Sequence, residues 1–72
     1  MMTVHVFKTS VERKGEVKKL RPSLNGLIDH NGCWNFDLED CDNILRVETQ
    51  NLNAPKIASL LKSQGFRCEE LQ

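Results

Sequence analysis

Five side chains in this chain have the chemistry to hold a soft or borderline metal: Cys33, Cys41, Cys68, His5 and His30. The three cysteines stand at spacings of 8 and 27, and no Cys-x-x-Cys occurs, so neither a zinc clip nor a dithiol redox pair is expected. An odd count also argues against a disulfide framework, so reduced thiols in a cytoplasmic protein are the expected state. His30 and Cys33 lie three apart and offer one nitrogen and one thiolate. Such a pair can meet Cu(I) or Zn(II), but a structural zinc takes four ligands. His5 falls in an apolar run and reads as a core histidine.

Other chemistry finds less material. Nucleophilic catalysis needs a Ser or Cys beside a positioned base, and two histidines without a motif do not supply one. Asp37 and Glu39 alternate onto one strand face that reads as solvent-exposed, so they form no perturbed acid pair. The chain is therefore read as non-enzymatic, with no cofactor. Single-stranded nucleic-acid readers stack bases on sheet aromatics. Here Trp34 and Phe36 share the core pattern and there is no tyrosine, so nucleic acid is not an expected partner.

Charge is balanced overall but uneven along the chain. Ten basic and ten acidic residues cancel, so no global field points to nucleic acid or a membrane. From Lys8 to Arg21, six basic residues face two acids, a net of +4. From Asp29 to Glu48, six acids face one arginine, a net of −5. Two such blocks form solvated faces, or steer a complementary partner. Arg13, Lys14 and Lys18, around the start of a predicted helix, are the candidate contacts for an anion or an acidic partner.

The elements that must position these groups can be read from periodicity. Residues 3–9 are β-branched and aromatic, and predict a strand. Val17, Leu20 and Leu24 predict a helix over 14–25, with Leu27 continuing the stripe, Pro22 kinking or shortening the helix near its end and Asn25-Gly26 stopping it. Residues 29–32 read as a loop. Trp34, Phe36 and Leu38 alternate with Asn35 and Asp37, predicting a half-buried strand over 33–38. A polar connection over 39–43 leads to a strand over 44–48 with Leu45 and Val47 on one face. Asn53 offers an N-cap, Pro55 a first-turn residue, and Ala54, Ile57, Leu60 and Leu61 an apolar stripe ending at Gly65. Residues 66–71 predict a last strand.

The order βαββαβ predicts an α+β two-layer sandwich: a four-stranded antiparallel sheet with two helices on one face, as in ferredoxin-like folds. One domain is expected over 1–72. In the first strand only one of the pairs Val4/Val6 and His5/Phe7 can face the helices. Phe7 is the larger apolar group, which assigns His5/Phe7 to the core. Val4 and Val6 then lie on the open sheet face, where they offer apolar area to a partner or a second copy. Neither an 18-residue apolar run nor a signal-peptide pattern at Met1–His5 is present.

Several of these strings together resemble the heavy-metal-associated (HMA) domain, the module of copper chaperones and metal-pumping ATPases. Phe7-Lys8-Thr9-Ser10-Val11 resembles the family's first strand and the entry to its metal loop. Trp34–Leu38 followed by Leu45–Glu48 resembles its central hairpin, and Ile57–Phe66 its second helix with the closing Gly-aromatic pair. The resemblance covers nearly the whole chain. It implies a loop in which two cysteines, two residues apart, bind Cu(I) almost linearly. Matched to that pattern, Arg13 stands at the first cysteine and Glu16 at the second. A guanidinium has no lone pair to offer a cation, and a lone carboxylate is a hard ligand. The resemblance thus implies a degenerate HMA-like domain without its metal site, acting in protein interaction or self-association. The alternative is a Cu or Zn protein with ligands relocated to Cys33, Cys41, Cys68, His5 or His30. Val11 matches the family's buried loop anchor.

Overall fold

The computed structural model describes residues 3–28, 32–39, 41–50 and 54–71. The predicted cap Asn53, the loop over 29–31 with His30, and Asp40 lie outside the described residues. The elements run β1 Thr3–Thr9, α1 Lys14–Leu27, β2 Cys33–Asp37, β3 Ile44–Thr49, α2 Ala54–Ser63 and β4 Cys68–Glu70. The strands form one antiparallel sheet in the order β2-β3-β1-β4. A four-stranded antiparallel sheet with two helices is compatible with a ferredoxin-like fold.

Register fixes which side chains meet. Phe7 pairs with Leu45 and His5 with Val47 across β1 and β3. Trp34 pairs with Val47 and Phe36 with Leu45 across β2 and β3. Directly opposed residues point to the same face, so these residues form one apolar layer. Phe7, Leu45 and Val47 are fully buried and join Leu20, Leu24, Ile57 and Leu61 from the two helices in a single core. His5 and Phe7 therefore do point to the helix side. Val4, Val6 and Ile44 lie on the opposite face, and Val4 stays 51% exposed.

The first helix departs from its predicted end. It passes through Pro22 and through Asn25-Gly26 to Leu27, and is capped at Ile28, whose N–H donates to the Leu24 carbonyl at 2.8 Å. Gly26 does not adopt positive φ. The reason lies in packing. Ile28 is buried in the core and Leu27 packs against it when the helix continues, and fully burying one such side chain is worth about 1.5–3 kcal/mol. Glycine in a helix costs about 1 kcal/mol against alanine, so burial wins. Pro22 and Lys18 are both exposed, so the carbonyl left without its usual N–H partner lies on the solvent side.

The second helix ends where Gly65 predicts. Gly65 takes φ +91°, its N–H donates to the Lys62 carbonyl at 3.0 Å, and the Phe66 N–H donates to the Leu61 carbonyl at 3.0 Å. That pair of bonds is a Schellman motif, with Phe66 folding back onto the core. Two strands are shorter than predicted. β2 stops at Asp37, whose Oδ1 accepts the Glu39 N–H at 3.2 Å and turns the chain. Asp37 and Glu39 thus belong to a local turn and do not share a strand face. β4 spans three residues, preceded by reciprocal bonds between Ser10 and Arg67.

Candidate functional site

The loop from β1 to α1 is held at three points. Val11 is fully buried, and its N–H donates to Thr9 Oγ1 at 3.2 Å. The same Thr9 hydroxyl donates to the Asn43 carbonyl at 2.7 Å, joining this loop to the β2–β3 connection. The Arg67 N–H donates to Ser10 Oγ at 2.8 Å, tying in the approach to β4.

Beyond Val11 the loop enters the helix through Arg13 and Glu16. Arg13 is the N-cap residue, in extended conformation (φ −124°, ψ 148°). One carboxylate oxygen of Glu16, Oε1, accepts the N–H of Arg13 at 3.1 Å and the N–H of Glu12 at 3.0 Å. This is half of a capping box: a guanidinium has no acceptor, so Arg13 cannot return the bond from its side chain. The acid also sits at the positive end of the helix dipole. Glu16 therefore occupies two otherwise unsatisfied helix-start donors. Its carboxylate turns inward to the backbone.

The three basic residues that the sequence points to do not form one cluster. Arg13 caps α1. Lys14 and Lys18 line a groove between α1 and β2, about 420 Å³ in volume, with Arg21 as a third cation and Val17, Phe36 and Leu38 as its apolar floor. Arg21 is missing from the sequence-based candidates, although positions 14, 18 and 21 repeat at helical spacing and share one helix face. Among the described residues, no carboxylate lies within ion-pair distance of Lys14, Lys18 or Arg21.

The soft-metal candidates are dispersed. Cys33 is exposed at the start of β2, on the open sheet face, with its Sγ 3.8 Å from Glu48 Oε2. Cys41 is exposed in the β2–β3 turn. Cys68 is buried on β4, and burial pushes its thiol pKa up to about 11 against a smaller opposing effect of Lys62. His5 Nδ1 lies 3.3 Å from Glu70 Oε2. Among the described residues, no three His, Cys, Asp or Glu side chains converge as a metal-ligand set.

No protein-family model matches this chain, and no curated protein or solved structure matches it either. Its functional reading therefore rests on its own residues. Among the described residues, no helix is long and apolar enough to cross a membrane.

A second, open depression of about 680 Å³ lies at the end of β1, lined by Lys8, Lys62 and Arg67 together with Cys41 and Cys68. Lys8 there already faces Asp42 at 3.6 Å. What the whole region offers is a closed helix start, a cationic groove with an apolar floor, and an open sheet face carrying Val4, Val6 and Ile44.

Proposed function

We propose that this chain is an HMA-like domain, ferredoxin-like in fold, that has exchanged a soft-metal site for a closed helix cap. It works as a non-enzymatic interaction module that self-associates through its open sheet face. The observation that carries this reading is Glu16. Its carboxylate is spent on the N–H groups of Glu12 and Arg13, where the resembled family presents a thiolate outward. The other lost-ligand position holds a permanent cation, which repels metal.

The open face supports the second half of the proposal. Val4 is half exposed and lies beside Val6 and across the ladder from Glu48, with Ile44 and Arg46 further along β3. Lys8 and Glu69 pair at the other edge. A patch with an apolar centre and charges of both signs can meet a two-fold copy of itself without like-charge conflict.

Sedimentation over a concentration series tests the proposal. The wild type is expected to move from monomer towards dimer, and Val4→Glu to stay monomeric while remaining folded. Titration of the reduced protein with Cu(I) and Zn(II) against a chelator tests the lost site. Stoichiometric tight binding would overturn the reading, and its disappearance in Cys33→Ser or Cys41→Ser would point to relocated ligands.

A further inference from the structure

We infer that the groove between α1 and β2 receives an extended acidic peptide, which adds to the edge of the sheet as a fifth strand. This rests on the reading of the chain as an interaction module and names the partner's chemistry. Three observations meet at this place. β2 is an edge strand with no neighbouring strand among the described residues on its outer side, so alternate backbone N–H and C=O groups point away from the sheet. The groove runs beside that edge, floored by Val17, Phe36 and Leu38. Its α1 wall carries Lys14, Lys18 and Arg21, with no carboxylate of the described residues within ion-pair distance of any of them.

Each observation selects a feature of the occupant. A free edge takes a segment in β conformation, gaining main-chain hydrogen bonds. Successive side chains of that segment alternate between the two faces, so every second one points towards α1. The apolar floor asks for an aliphatic side chain opposite Phe36. The cations ask for Asp or Glu two residues to either side of it. The α1-facing positions thus read acidic, apolar, acidic. The two carboxylates on the β2 side do not cancel this preference. Asp37 and Glu39 also line the groove, so its three cations stand against two acids, but neither acid lies within ion-pair distance of a cation and Asp37 Oδ1 is held by the Glu39 N–H. A nucleic-acid strand would satisfy the cations but would leave the apolar floor and the free backbone edge without a partner, so a peptide fits better.

The test uses the full chain and a synthetic probe, acetyl-Thr-Asp-Thr-Leu-Thr-Glu-Thr-amide, titrated to about 1 mM, where even a weak complex is visible. Saturable shifts of the backbone amides of Cys33–Asp37, with affinity at least tenfold weaker in Lys18→Glu/Arg21→Glu, are expected. Replacing the probe's Asp and Glu by Lys, or its central Leu by Pro, should abolish binding without altering the protein. No binding, equal binding of the lysine probe, shifts confined to other strands, or displacement of the peptide by an oligothymidylate would overturn the inference. Peptide capture by a chain that sediments as a monomer upholds the β2 site and overturns self-association. A dimer that ignores the peptide does the reverse.

Discussion

Glu16 Oε1 lies 3.1 Å from the backbone nitrogen of Arg13, three residues earlier, and closes the first turn of α1. One oxygen thus satisfies the N–H groups of both Glu12 and Arg13. A chain lacking this acid leaves those donors to water and removes a negative charge from the helix start. Glu16→Ala is expected to lower unfolding free energy by about 1 kcal/mol, within the range of helix-cap deletions. Chemical denaturation with an unchanged slope checks it. An unchanged midpoint would mean the bond is lost in solution.

If the loop has the geometry of a metal loop, two thiols placed in it should create a binding site. Arg13→Cys/Glu16→Cys is expected to bind one Cu(I) tightly, where the wild type does not. The metal-free double variant should be less stable than wild type by about 1 kcal/mol, since the cap is gone. Saturating Cu(I) should more than recover that loss, because it binds only the folded form. Thermal melts with and without Cu(I), beside a chelator competition, read both effects. A double variant with no gain in copper affinity would sever the link to the HMA scaffold.

Cys68 makes a statement about pH. Its thiol pKa is raised to about 11 by burial, above an ordinary value of 9.0. Below pH 9 both folded and unfolded chains carry the proton, and the thiol contributes no pH dependence. Between pH 9 and 11 the unfolded thiol ionises while the folded one does not, so stability falls. The total loss is at most about 3 kcal/mol, from two pH units at 1.36 kcal/mol each. This alkaline decline should shrink in Cys68→Ala when the two stability-against-pH curves are compared. At neutral pH, Cys33 and Cys41 should react with a thiol reagent well before Cys68, because the thiolate is the nucleophile and both are exposed.

Trp34 Nε1 donates to Asn25 Oδ1 at 2.9 Å, linking β2 to the end of α1. Asn25→Ala alone should cost only about 0.5 kcal/mol, since alanine's better helix propensity, about 0.5 kcal/mol, offsets half of a bond worth about 1 kcal/mol. A double-mutant cycle with Trp34→Phe isolates the pair. It should return a coupling of about 0.5–1.5 kcal/mol. A coupling indistinguishable from zero would show that the indole holds α1 by packing alone.

Local pattern decided more of the fold than of the site. The alternation of Trp34 and Phe36, the bulk of Phe7 over Val6, and the stripe Ile57, Leu60, Leu61 all report side-chain burial along one element, which short-range periodicity encodes. Gly65 was legible as a stop because the turn after α2 requires positive φ. Gly26 was not, because a glycine ends a helix only when the next residues have no reason to stay helical. Here Leu27 and Ile28 have a core to enter. Likewise Glu16 reads in isolation as a hard, lone ligand, although Glu at the third helical position is also a capping signal. Whether its carboxylate faces outward or back to Arg13 is a matter of rotamer and local geometry.

Residue types alone thus specified the element order, the buried face of each element and the absence of any thiol between Ser10 and Glu16, since each depends only on near neighbours along the chain. Three-dimensional packing settled what lies side by side. It placed Lys14, Lys18 and Arg21 of α1 over Phe36 of β2 and left β2 at the sheet edge. Those relations join residues far apart in sequence, and they exist only once burial of Phe7, Leu45 and Val47 has brought the helices onto the sheet.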